Sequence, residues 1–371
     1  MATLGTWTVE KYGPRHEHRV AVLTVSGTNL PWIVYFPGGG WSRFGLEAFY
    51  DGTVGEEIFK DAIYPALGSY PVKCFSAFYG AHRYNWSTSN NTTPSTAYYS
   101  DRYPTTPRYL DNGADDGKRL VQYIKANATR FGINPNAGIV MGASAGSQIA
   151  SCVAYDFTAP NFTGPTTRAS RAYRGNASSR VLAAHLKISP TDLAQYRYAD
   201  SSLLNLFGVA DQTDYDAVSD ARRDSLCAVG LSRGYKGAVP TYGWFYEAPT
   251  GTPAQDPPFQ NATTTWASGQ SYAVGVRRNR TISSSLRNFY CIQAHTSDGT
   301  VTAPGTGSNW QAYWEEYSNA PYHHVINGQL LAARLAEAGI QYVLGYPGTA
   351  TYPDDCYGWM KEQWDPARLG G

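Results

Sequence analysis

The chain has 371 residues, with 30 Lys and Arg against 29 Asp and Glu for a net charge of +1, and 42% of its residues are apolar. Near-neutrality removes the electrostatic basis for binding nucleic acid or an acidic membrane surface, and no stretch is long and apolar enough to cross a bilayer. The length exceeds the usual ~100–200 residues of a domain but suits one α/β domain with insertions, so a single domain over 1–371 is expected.

The N-terminus, Met1-Ala2-Thr3-Leu4-Gly5-Thr6-Trp7, lacks the charged-then-apolar pattern of a signal peptide. Alternation over 19–25 predicts a strand. Trp32-Ile33-Val34-Tyr35-Phe36 reads as a fully buried strand that runs into Pro37-Gly38-Gly39-Gly40-Trp41. Three consecutive glycines leave backbone N–H groups unobstructed, an arrangement suited to holding an oxyanion. A strand is expected over 72–79, followed by Gly80-Ala81-His82-Arg83-Tyr84, and a helix over 111–131 that breaks at Gly132-Ile133-Asn134-Pro135. Next comes Ile139-Val140-Met141-Gly142-Ala143-Ser144-Ala145-Gly146-Ser147, an apolar strand entering Gly-x-Ser-x-Gly and then a small-residue helix. A serine hydroxyl becomes an attacking group when it projects from such a sharp turn, with small neighbours that let strand and helix approach.

Further strands are expected over 179–188 and 288–301. Between them, over 192–286, the strand–helix rhythm gives way to Gly, Pro, Thr and Tyr, which reads as a cap or surface insertion. An amphipathic helix begins at His323 and His324 and ends at Gly339, and a last strand is expected over 340–346.

These motifs resemble the α/β-hydrolase superfamily, most closely its carboxylesterase and hormone-sensitive-lipase-like branch. The resemblance implies a mostly parallel central sheet flanked by helices, with a cap. It implies a serine ester hydrolase in which Ser144 is the nucleophile, the N–H groups of the Gly38, Gly39, Gly40 and Trp41 loop and of Ala145 bind the oxyanion, and His82 lines the substrate pocket. The segment His295-Thr296-Ser297-Asp298-Gly299-Thr300-Val301 matches the superfamily's acid-bearing segment at His295, Asp298 and Val301, which makes Asp298 the candidate acid.

One member of the triad is missing from its usual place, because no histidine follows His324 and the slot near Thr351 is empty of one. His323 and His324 are the best replacements: a fold-back of 302–322 would carry them toward Ser144, and a helix N-terminus keeps an imidazole neutral. His82 ranks third. His185 and His295 read as structural, and His16 and His18 as exposed edge residues without a third metal ligand. Two functions follow: an esterase acting on a small-molecule or carbohydrate-linked ester without metal or cofactor, and a silent hydrolase scaffold used for binding or assembly, such as a virion or surface component. A soluble chain is expected, cytoplasmic as written or extracellular by its neutral, aromatic surface, with homo-oligomerisation open. Of five cysteines, Cys227 and Cys356 look loop-like enough to form a bridge.

Overall fold

The strands in chain order are β1 (Trp7–Lys11), β2 (Arg19–Leu23), β3 (Leu30–Phe36), β4 (Lys73–Ala77), β5 (Ile133–Ala143), β6 (Ala183–Lys187), β7 (Thr241–Trp244), β8 (Ser271–Tyr272), β9 (Arg277–Ile282), β10 (Ser285–Cys291), β11 (His295–Thr296), β12 (Trp314–Tyr317) and β13 (Tyr342–Gly345). The helices are α1 (Asp111–Ala126), α2 (Ala128–Phe131), α3 (Ala145–Tyr155), α4 (Gln212–Asp216), α5 (Val325–Glu337) and α6 (Asp354–Gln363). The computed structural model describes residues 7–12, 19–38, 70–77, 111–155, 177–187, 189–191, 193, 211–218, 227–228, 231, 239–245, 264–273, 276–317, 325–349 and 354–366.

Eight strands form the central sheet in the order β1-β2-β4-β3-β5-β6-β7-β13. β1 and β2 pair antiparallel, β2 joins β4 antiparallel, and every pair from β4 to β13 is parallel. The run Ile33–Phe36 is buried throughout because a parallel strand is covered on both faces. On one face Val34, Phe36 and Val140 pack with Leu120, Ile149, Val153, Leu331 and Leu335 of α1, α3 and α5. On the other, Ile33, Tyr35, Ile139 and Met141 pack with Cys356, Tyr357, Trp359 and Met360 of α6.

The expected helix over 111–131 is two pieces, α1 and α2, separated at Asn127, and Gly132 closes α2 with φ of 69°. α5 ends as expected before Gly339, which has φ of 71°. Among the described residues no helix is long and apolar enough to cross a membrane.

Three sequence expectations need correction. The segment 192–286 is not wholly outside the sheet, because Thr241–Trp244 is β7, paired parallel to both β6 and β13. Gly243 makes that pairing possible, since a Cβ there would lie 2.1 Å from the Tyr342 hydroxyl. Conversely, the run at 288–291 is not the sheet strand after β6. It belongs to β10, the middle strand of a separate sheet ordered β12-β10-β9, with β8 and β11 forming a two-stranded pair. Phe289, Cys291, Tyr272 and Trp314 give this second unit its own small core. No disulfide joins Cys227 to Cys356, as all five cysteines are free and buried.

Candidate active site

The site is built from the chain reversal after β5. Ser144 has φ of 50°, in the left-handed region, which costs an L-residue about 1–2 kcal/mol. Its surroundings hold it there. A Cβ on Gly142 would lie 2.3 Å from the Gly146 carbonyl oxygen, and a Cβ on Gly146 would lie 2.0 Å from that of Phe36 and 2.4 Å from that of Pro37. β3, β5 and α3 therefore meet at distances that only glycine permits. The Ser144 N–H donates to the Lys187 carbonyl at 3.0 Å, tying the turn to the end of β6. Its carbonyl accepts the Ser147 N–H at 2.9 Å and also the Ser147 hydroxyl. Ser144 is half-buried at the carboxyl edge of the sheet, and every residue of α3 behind it is buried.

The glycine loop begins against this turn. A Cβ on Gly38 would lie 3.2 Å from the Ser144 Cβ and 2.9 Å from the Ala143 carbonyl oxygen. Ala145 is fully buried as the first residue of α3, and N–H groups of a helix's first turn have no partner within the helix. Gly38, Ser144 and Ala145 are thus brought together. Gly39, Gly40, Trp41, His82, His323, His324 and the empty slot at Thr351 lie outside the described residues.

Asp298 follows β11, and its strand belongs to the second unit rather than to the central sheet. Its carboxylate is exposed and engaged by its own turn: Oδ1 accepts the N–H groups of Val301 at 2.6 Å and Thr300 at 2.8 Å, and the Thr300 hydroxyl at 3.0 Å. These bonds, from Val301 first and then Thr300, hold the carboxyl below the ordinary aspartate value. In the central sheet the chain leaves β7 at Trp244 and Phe245, and the first carboxylate after it in sequence is Glu247. The aromatic run from Tyr242 to Tyr246 is the available signal for that strand.

The start of α5 is fixed at the same edge. A Cβ on Gly328 would lie 2.4 Å from the Phe245 ring and 2.5 Å from Leu344 Cδ1, at the ends of β7 and β13. The Asn327 carbonyl accepts the hydroxyl of Thr191, four residues beyond β6, and both residues are buried. His323 and His324 immediately precede this helix in sequence.

Two histidines are described, His185 and His295. His185 is fully buried on β6 with its ring against Tyr242, and burial, with Lys187 adding to it, pushes its imidazole down from 6.5 to about 3. His295 pairs through Nδ1 with the Gln293 carbonyl at 2.8 Å and packs on Tyr313 and Trp314. Among the described residues no group of three or more His, Cys, Asp and Glu is placed to hold a metal ion.

The fold has counterparts among solved structures. A truncated carbohydrate esterase from gut microbiota aligns over 98% of this chain and 97% of its own, at 13% identity and a TM-score of 0.55. The fold is that of the α/β-hydrolases. The bifunctional GH43-CE protein of Bacteroides eggerthii matches at 13% identity and a TM-score of 0.51, over 98% of this chain and 38% of that one. Esterase 2 of Thermogutta terrifontis, with propionate bound, matches at 12% identity and a TM-score of 0.48, over 98% and 94% of the two chains. Residues 105–221 match the family model of BD-FAE, an esterase-type α/β-hydrolase family, a stretch that takes in α1, the elbow and α4. A comparison with curated proteins returns no sequence match. Within the α/β-hydrolase fold, β7 holds the place expected from sequence for 288–301.

Proposed function

We propose that this chain is a serine-dependent carboxylic ester hydrolase whose nucleophile is Ser144. The observation that carries the reading is the left-handed backbone of Ser144 at a strand-to-helix turn, packed against Gly38 of the glycine loop. A strained serine persists where surrounding structure over-determines it, and such strain clusters at active sites. The Ser144 hydroxyl attacks the ester carbonyl and passes its proton to an imidazole. The carbonyl oxygen becomes an oxyanion facing the N–H groups of Ala145 and the Gly38–Gly40 loop. The alcohol leaves with that proton, and water then releases the acid from the acyl-enzyme.

His323 or His324 serves as the base in this reading. Lys187 holds the Ser144 N–H and Thr191 holds the first turn of α5, and the two stand four positions apart, a reach of at most about 14 Å. That places the start of α5 at the elbow's own edge of the sheet, and the two histidines lead into it. Asp298 is the acid indicated by motif and Glu247 the one indicated by position, three residues after β7. The carbohydrate esterases among the structural neighbours favour an acyl group carried on a saccharide.

A fluorophosphonate probe and p-nitrophenyl acetate test the reading. Labelling should map to Ser144, and Ser144→Ala should remove turnover by at least ~10⁴-fold, since triad members act as a unit. One of His323→Ala and His324→Ala should match that loss. Asp298→Asn set beside Glu247→Gln assigns the acid. A parent that neither labels nor turns over a broad ester panel would instead make the chain a hydrolase scaffold kept for binding.

A further inference from the structure

The connection leaving β6 touches both halves of the proposed catalytic apparatus. At one end the Lys187 carbonyl receives the Ser144 N–H at 3.0 Å. At the other the Thr191 hydroxyl donates to the carbonyl of Asn327, 136 residues away and three positions into α5. Thr191 and Asn327 are 1% and 2% exposed, so this bond is made out of water, where a hydrogen bond is strong and its loss costly. Between the two ends stand Ser189 and Pro190, both buried. Proline fixes its own φ and confines the residue before it to extended conformations. The connection is therefore short and anchored at each end, and its Ser189–Pro190 part is stiff.

We infer that the Lys187–Thr191 connection is the gauge that sets the separation between the nucleophile turn and the start of α5, and that Thr191 is the positioning residue that keeps the histidine base within reach of Ser144. This rests on the proposed esterase reading. Thr191 touches no reacting atom in this scheme and acts through α5. A misplacement of about 1 Å from a group outside the chemistry can cost about 100-fold in rate, because reacting atoms must approach to near contact. The helix itself is held by Leu331 and Leu335 in the core and by the close approach of Gly328 to Phe245 and Leu344, so loss of the Thr191 bond loosens its first turn without releasing the rest.

The test uses the full chain with Thr191→Val, which keeps the shape and removes the hydroxyl, and Thr191→Ser, which keeps the hydroxyl. Expected for Thr191→Val is a fall of at least ~10-fold in kcat with KM within about 2-fold, a parallel fall in the fluorophosphonate labelling rate of Ser144, and faster amide hydrogen exchange in residues 325–331. Thr191→Ser should return all three to within about 3-fold of the parent. Unchanged exchange over 325–331 in Thr191→Val overturns the gauge. Faster exchange with unaltered kcat and labelling also overturns it, leaving the bond a purely structural one. If the parent shows no Ser144-dependent turnover or labelling, the esterase reading falls and the positioning role falls with it. A parent that is active but unaffected by Thr191→Val overturns the gauge alone.

Discussion

Ser144 owes its conformation to two glycines rather than to itself, and the same space that permits the turn forbids change around it. Gly146→Ala would put a Cβ 2.0 Å from the Phe36 carbonyl oxygen, a backbone atom that cannot swing aside. The expected cost is at least about 1–3 kcal/mol, the penalty of overpacking a filled core, read as a lowered midpoint in urea unfolding by circular dichroism. His185 makes a different prediction. Its imidazole stays neutral in the fold down to about pH 3 but protonates near its ordinary value of about 6.5 when the chain unfolds. The unfolded state therefore binds the extra proton as pH falls below about 6.5, and His185 costs the fold up to about 1.4 kcal/mol per pH unit from there toward pH 3. Well above its ordinary value it costs nothing. His185→Phe, if it packs on Tyr242, should flatten the acid limb of a stability–pH curve, and a parallel acid limb in parent and variant would count against this burial.

At the scale of elements, what can be read from the sequence divides by range. The elbow and the start of the glycine loop are legible because each is one strand followed by the residues that turn it, and small residues at fixed offsets carry the information. β7 is not. Thr241-Tyr242-Gly243-Trp244 contains a glycine and sits among prolines, so its pattern resembles a loop. Gly243 is there because Tyr342, 99 residues later, fills the space its side chain would occupy. The apolar run through Phe289 and Cys291 reads as a sheet strand because burial is its only signal, and a small separate core supplies that burial equally well. The candidate base, His323 or His324, and the candidate acid, Asp298, rest on motif and order alone for the same reason: their roles depend on which loops meet at the carboxyl edge. α6 offers a test of helix energetics alone. Gly358 lies mid-helix, exposed, and a Cβ added there would meet nothing within 4 Å. Gly358→Ala should stabilise the protein by about 0.5–1 kcal/mol, from relief of backbone entropy, and a thermal melt shows it as a raised midpoint.

For the molecule as a whole, the sheet needs cover on both faces, and among the described residues the second face receives it from α6 and Trp364. Tyr357, Trp359, Met360 and Trp364 close over Ile33, Tyr35, Ile139 and Met141, and the Trp364 Nε1–H donates to the Ala137 carbonyl at 3.1 Å. Ending the chain at residue 353 should leave that face bare, giving strong dye binding by exposed apolar surface and self-association in sedimentation velocity; a monomeric, dye-silent truncation would show that α6 is dispensable. The bond from Trp364 to Ala137 crosses 227 positions, and this separation governs how the protein must be made. Synthesis runs from the N-terminus, so β3 and β5 leave the ribosome long before the helix that shelters them exists. Contacts of such range form late, and an uncovered apolar sheet face is a surface on which unfinished chains stick to one another. Until α6 has been made, the face carrying Ile33, Tyr35, Ile139 and Met141 lacks its partner, so partly made chains are expected to associate, and a ribosome-arrested chain stopped at residue 353 should sediment with aggregates where one extended past α6 does not.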